Sequence, residues 1–145
     1  MAATLKSTIQ QVDHTTSKAT VRTHSMLVDR GLAKGGLDRG PAGGEYLTVA
    51  LGGCFTSHLL AAVWAREAAV SNVRVEVSGT MDGSPERFLA FTLDVTADCE
   101  DQEVARKMVL IAGRGCQVVN TLMQSATVSV SYAGSPVDLH EMVLT

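Results

Sequence analysis

Alternation of apolar and polar residues predicts strands in both halves of the chain. The alternating stretches are 7–12, 19–29, 73–79, 87–97 and 127–133. Because successive side chains of a strand point to opposite faces, this alternation is typical of strands with one buried face. The segment TMDGSPE separates 73–79 from 87–97, and its turn-forming residues favour a β-hairpin.

Three further segments are predicted to be helical, namely 45–69, 99–113 and 116–124. The first is almost entirely apolar, but Thr48 and His58 interrupt it and Arg66 and Glu67 stand near its end. We therefore expect a buried core helix rather than a membrane span. Acidic residues open the second segment and Gly113 closes it, as in many helices.

A glycine-rich loop precedes the long helix. The stretch RGLAKGGLDRGPAGG holds six glycines and one proline in fifteen residues. Loops of this length are uncommon in compact domains and often carry function. The full order of elements predicts an α+β fold, with helices segregated from an antiparallel sheet, in one domain over residues 1–145. The tail after Gly134 has no assignment.

Composition and charge narrow the possible partners. The net charge is −3 and no cluster of Lys and Arg stands out, so we expect neither a nucleic-acid partner nor a membrane. The first residues lack an apolar signal region, which makes the cytoplasm the expected location. The three cysteines form no CxxC or Cys/His cluster, so neither a metal nor a cofactor is expected.

The candidate chemistry lies around Cys54 in the long apolar segment. On a helix, Cys54 shares a face with Leu51 and His58, and it follows Gly52 and Gly53. Each glycine costs about 1 kcal/mol relative to alanine inside a helix. Two interpretations stay open. Either a backbone or substrate approaches a reactive thiol here, or Cys54 is a small core residue and the glycines allow tight packing.

Two motifs give the chain a family resemblance. GPAGGEYLTVALGGC is followed by CQVVNTL, whose cysteine stands 62 residues after Cys54. Together they resemble the OsmC/Ohr family of osmotically inducible and organic-hydroperoxide-resistance proteins. The matching positions are Gly40, Pro41, Glu45, Leu47, Ala50, Leu51 and Cys54, then Cys116, Val118 and Leu122. Gly43 and Gln117 stand where family members often have proline. The position of Glu45, nine residues before Cys54, is similar to that in the less-characterised OsmC-like branch.

The resemblance implies an intertwined homodimer with an OsmC-like fold, in which a long central helix and a second helix pair pack on the sheet. It implies a stress-responsive antioxidant oxidoreductase that reduces organic hydroperoxides. Cys54 would be the peroxidatic thiolate, and Cys116 would resolve its sulfenic acid to a redox-active disulfide. An external dithiol would restore both thiols, a role that lipoylated proteins have in the Ohr branch of the family. Cys116 would lie at a helix N-terminus, where the dipole favours a thiolate.

Family members hold the peroxidatic cysteine with an arginine and a glutamate. We expect Arg39 in this role, ahead of Arg30 and Arg22, with Glu45 as its carboxylate partner. Nine residues span about 180° of a straight helix, so Glu45 reaches Cys54 only if the helix begins after it or through a bridging arginine. Alternatively, Glu45 stabilises the helix N-terminus. The alternative to Arg39 is His58, four residues after Cys54.

Other functions remain open at this point. The chain could be a non-catalytic, regulatory or ligand-binding dimer with silent thiols, or a thiol- or sulfur-transfer enzyme that uses the same cysteine pair. Contact between Cys54 and Cys116 distinguishes these classes, because a catalytic pair must meet. Cys99, flanked by acidic residues, is expected to be structural.

Overall fold

The computed structural model describes residues 1–141, which form two compact units. One unit comprises Met1–Leu47 and the other begins at Thr48. The last residues of the unassigned tail, 142–145, lie outside the described residues.

The first unit contains a three-stranded antiparallel sheet. Its strands are β1 (Thr8–Gln11), β2 (Ser17–Val21) and β3 (His24–Val28), in that order across the sheet. The sequence predicted one strand over 19–29, and this was wrong because a tight turn separates β2 from β3. Arg22 adopts a left-handed backbone conformation there, with φ of 54°. So short a turn does not interrupt the apolar–polar alternation, which therefore gave no sign of it.

Asp29 organises the glycine-rich loop that follows β3. Its buried carboxylate accepts hydrogen bonds from the Thr16 hydroxyl and from the backbone N–H groups of Arg30, Leu37 and Arg39, at 2.7–3.2 Å. Burial raises the pKa of Asp29. Hydrogen bonds from the Arg39 and Arg30 amides and from hydroxyl groups lower it by more, so the net pKa lies below its usual range. One ionised group thus holds the start and the middle of the loop.

The long helix, α1, spans Gly43–Ala65 and so begins two residues before the predicted start at 45 and ends before 69. Leu51, Phe55, Leu59 and Ala62 form its buried face. Val49, Leu60 and Trp64 are exposed, with Trp64 85% exposed. By length and composition α1 is also able to cross a membrane. Core helices of soluble proteins pass the same test, so this is weak evidence for a membrane span.

The second unit contains a four-stranded mixed sheet. Its strands are β4 (Ser71–Asp82), β5 (Arg87–Asp98), β6 (Thr127–Tyr132) and β7 (Ser135–Val137), in that order. Strands β4 and β5 form the predicted hairpin, and β7 falls in the unassigned tail. The prediction of a purely antiparallel sheet was wrong, because β5 and β6 pair in parallel. Two helices connect them, and a parallel pair needs a crossover of this kind.

These helices are α2 (Gln102–Gly115) and α3 (Gln117–Leu122), separated by Cys116 alone. Asp101 caps α2 by accepting from the N–H groups of Glu103 and Val104. The core of the second unit combines side chains from α1, α2, α3 and the sheet. Its members include Phe55, Leu59, Phe91, Leu93, Val95, Met108, Val109 and Val119. The α+β class predicted from the sequence is therefore confirmed, with three α-helices and both antiparallel and parallel strand pairs among residues 1–141.

Candidate thiol site

Two helices and a helix break bring the cysteines of the two motifs together. Cys54 lies in the middle of α1 and is half-buried. Cys116 ends α2 and caps the N-terminus of α3, with an extended backbone conformation (φ −78°, ψ 115°). The two thiols are close enough for Cys54 to influence the pKa of Cys116, and both are reduced. The structure thus joins two residues that stand 62 positions apart in the sequence.

Cys116 is completely buried, with 0% of its surface exposed. Burial raises its pKa to about 11, and the neighbouring Cys54 thiol adds to the rise, although the Val119 amide, which donates to the Cys116 sulfur at 3.5 Å, opposes it. A helix N-terminus was expected to favour a thiolate at Cys116, and this was wrong because desolvation outweighs the amide. Cys116 is therefore a protonated thiol at neutral pH.

The side-chain amide of Gln117 links Cys54 to His58. Its Oε1 atom lies 3.4 Å from Cys54 Sγ and 2.8 Å from His58 Nε2. Because an amide oxygen only accepts, the Cys54 thiol and His58 Nε2–H both donate to it. On its other side the His58 ring packs on Gly115, where an added Cβ would lie 3.4 Å from Nδ1. Hydrogen bonds from Cys54 and from His58 therefore meet at one Gln117 oxygen.

The two glycines before Cys54 differ in their surroundings. A Cβ on Gly52 would lie 2.7 Å from Val77 Cγ2 of β4, whereas a Cβ on Gly53 would have no neighbour within 4 Å. Gly52 therefore allows α1 to pack closely on the sheet, as the structural interpretation proposed. An open, mainly apolar groove of about 700 Å³ runs beside both glycines. Its walls are Thr48, Val49, Thr56, Ser57 and Leu60 of α1 and Val73, Val75 and Val77 of β4.

Arg39 and Glu45 have partners within the first unit. Arg39 Nη1 donates to Asp13 Oδ2 at 2.7 Å, in an ion pair whose arginine side chain is 44% exposed. The Thr15 amide, with Thr16 and Arg39, holds the pKa of Asp13 well below its usual range. Glu45 Oε1 accepts from the Ala42 N–H at 2.9 Å, next to the start of α1. Because α1 begins before Glu45, only the route through a bridging arginine leads from this carboxylate to Cys54.

Sequence reasoning missed Gln117 as a site residue. It was noted only because proline often stands there in the family, and its place directly after Cys116 was the one available signal. Cys99 is half-buried and donates to the Asp101 carbonyl at 3.0 Å. Within residues 1–141, no three His, Cys, Asp or Glu side chains are grouped so as to hold a metal ion.

The burial of Cys116 predicts strong protection from alkylation. At pH 8, iodoacetamide should modify Cys116 at least about 100-fold more slowly in the folded protein than in urea, because alkylation needs the thiolate and a pKa near 11 suppresses it. Peptide-resolved mass spectrometry separates the three cysteines. Equal rates for Cys116 in the folded and unfolded chains would contradict the assigned burial.

Comparison with known proteins places this arrangement in a family. A model of the OsmC-like protein family matches residues 35–131, which include both Cys54 and Cys116. No match to a curated protein was found.

Solved structures resemble the whole fold at low identity. An OsmC-like protein from Mycoplasma pneumoniae is 13% identical with a TM-score of 0.81, covering 92% of this chain and 98% of its own. An organic hydroperoxide resistance protein OsmC from Legionella pneumophila is 15% identical with a TM-score of 0.71, covering 90% and 98%. A putative organic hydroperoxide resistance protein from Vibrio cholerae, with captopril in one active site, is 16% identical with a TM-score of 0.73, covering 94% and 96%. At these identities the likeness concerns the fold. Because the family model spans most of the chain, the protein belongs to the OsmC-like family.

Proposed function

We propose that the protein is a thiol-dependent peroxidase that reduces organic hydroperoxides with Cys54 and Cys116. The observation that carries the proposal is that a half-buried thiol and a fully buried one are neighbours. A peroxidatic cysteine must admit substrate, whereas a resolving cysteine must be held close and kept from reacting first. The Legionella and Vibrio relatives are named for organic hydroperoxide resistance, which supports the substrate class.

In the first step the Cys54 thiolate attacks the terminal oxygen of the hydroperoxide. The S–O bond forms as the O–O bond breaks, so that Cys54 becomes a sulfenic acid and the peroxide leaves as an alkoxide, which takes a proton to become an alcohol. The protonated Cys116 thiol is a neighbour of this sulfur and would stabilise the negative charge before attack. Because Cys116 stays protonated, it does not compete for the peroxide.

In the second step Cys116 attacks the sulfenic sulfur. The S–S bond forms while the S–O bond breaks, and hydroxide leaves with the Cys116 proton as water. Cys116 lies between two helices, where its backbone is already extended, and this break gives α3 a point about which to move as the disulfide forms. An external dithiol, such as one on a lipoylated protein, then reduces the disulfide by exchange and is itself oxidised. We place this cycle in the cytoplasm, where thiol reductants are available.

We further propose that Arg39, held by Glu45, activates Cys54. A thiol on a largely apolar helix face needs an opposing positive charge to form a thiolate, and guanidinium is always charged. Arg39 lies on the loop that leads into α1, and its ion pair with Asp13 is partly exposed and therefore weak enough to exchange. The Asp29 carboxylate fixes the Arg39 backbone, which limits where its side chain reaches.

The protein also has the surface expected of a homodimer. Val49, Leu60 and Trp64 leave a long exposed apolar stripe along α1, beside the groove that faces β4. Exposed apolar surface of this extent is unusual on a monomer. We propose that a second copy covers it.

The peroxidase proposal predicts a division of roles between the cysteines. With a dithiol reductant, the wild-type protein should consume cumene hydroperoxide faster than hydrogen peroxide, and Cys54→Ser should abolish consumption. Cys116→Ser should retain a single fast turnover and accumulate a sulfenic acid that dimedone traps, because only resolution is lost. Stopped-flow absorbance and mass spectrometry measure both. No consumption by wild type under any dithiol would favour silent thiols or sulfur transfer instead.

The activation proposal concerns Arg39. Arg39→Ala should slow alkylation of Cys54 and peroxide consumption by about tenfold or more, corresponding to at least about 1.4 kcal/mol of lost thiolate stabilisation. Lys34→Ala removes an exposed cation from the same loop and is the matched control, with rates expected to stay within twofold. Equal rates in the Arg39→Ala and wild-type proteins would identify Arg39 as a surface charge paired only with Asp13.

The dimer proposal is tested by mass in solution. Light scattering at micromolar concentration should give about twice the chain mass of 15.3 kDa. Trp64→Glu, which places a charge in the exposed apolar stripe, should shift the protein toward monomer. The control is Lys6→Glu in the N-terminal segment. Ser57→Glu on α1 is a poorer control because Ser57 lines the groove. A stable wild-type monomer would refute the proposal.

A further inference from the structure

The Gln117 amide contacts the reactive sulfur, although Gln117 is not one of the positions at which the second motif matches the family. Its oxygen receives two hydrogen bonds, from Cys54 at 3.4 Å and from His58 at 2.8 Å. Gln117 is also the residue after Cys116, so its backbone is fixed where α3 begins. The Gln117 side-chain amide therefore accepts a hydrogen bond from the Cys54 thiol, while the Gln117 backbone is held next to Cys116.

The observed arrangement suits only the neutral thiol. When Cys54 loses its proton, an amide oxygen would face a negatively charged sulfur, which is unfavourable. The two ends of a glutamine amide have nearly the same shape, so a half-turn of the amide costs little and presents N–H groups instead. A donor aimed at the thiolate favours the charged form.

His58 determines whether that half-turn is possible. In the observed arrangement Nε2 carries a hydrogen and donates to the Gln117 oxygen. After the half-turn the amide nitrogen faces Nε2, which then has to accept. Neutral histidine allows this by moving its proton from Nε2 to Nδ1 through solvent, since the two tautomers exchange donor and acceptor roles.

We propose that Gln117 is a positioning residue whose amide rotates to donate to the Cys54 thiolate, and that the tautomer of His58 follows this rotation. The proton lost by Cys54 passes to solvent, and the imidazole keeps its single proton throughout. This role of Gln117 rests on the proposed peroxidase function in one respect, namely that the peroxidase reaction is what uses the Cys54 thiolate. Neither test below uses a peroxide, so a failed peroxidase assay and a failed amide switch are separate results.

The first test measures Cys54 alkylation by iodoacetamide at pH 7.5 with peptide-resolved mass spectrometry. Gln117→Glu has the same shape but offers only acceptors and a negative charge, so the rate should fall about tenfold or more. Gln117→Met removes the polar group and should fall only a few-fold. Gln124→Glu makes the same chemical change just beyond α3 and should match wild type. Equal rates in Gln117→Glu and Gln124→Glu would overturn the proposal.

The second test reads the tautomer of His58 from its imidazole ¹⁵N shifts. Cys54→Ser keeps a neutral donor at the position, so His58 should remain the Nε2–H tautomer. Cys54→Asp provides an anion that favours the rotated amide as its hydrogen-bond donor. His58 Nε2 then has to accept, so His58 should become the Nδ1–H tautomer. Spectra of His58→Gln assign the signal among the four histidines. The same tautomer in both variants, or an imidazolium in Cys54→Asp, would overturn the proposal.

Discussion

The proximity of Cys54 and Cys116 links the second unit's architecture to its chemistry. It arises because α2 and α3 are interrupted at one residue, and that residue is a cysteine whose sulfur caps the shorter helix. Burial keeps Cys116 protonated beside the sulfur on α1. Without the break, Cys116 would continue a helix and its sulfur would have no reason to face α1. The placement of Gln117 and of the His58 ring against Gly115 follows from the same break.

Patterns along the chain predicted most of the local structure. The long helix, the β4–β5 hairpin and the two later helices follow from periodicity and capping residues such as Asp101, which act over a few positions. The parallel pairing of β5 with β6 was missed because strand direction depends on how a crossover folds back, which no local pattern records. The turn at Arg22 was missed for a related reason, since its two strands keep one alternation.

At the site, the sequence identified the two cysteines through the family motifs. It did not identify Gln117. It also did not identify the ion pair between Arg39 and Asp13, two residues that stand 26 positions apart. Both depend on side-chain directions set by tertiary packing. The role of the glycines before Cys54 was ambiguous in the sequence, because a glycine allows the close approach of either a strand or a substrate. The structure separates them, since Val77 approaches Gly52 and nothing described approaches Gly53.

The crossover between β5 and β6 also bears on how the thiol pair forms during folding. The parallel pairing joins Ala90 to Thr127, so a long segment must close before any of its hydrogen bonds form. Loop closure of this kind is entropically costly, and non-local pairing is slow compared with hairpin formation. Cys54 is also synthesised well before Cys116, and the hairpin that packs against α1 forms from neighbouring residues. In the nascent chain, Cys54 therefore lies on a helix before it has a partner thiol. The thiol pair is completed only when the last strands dock.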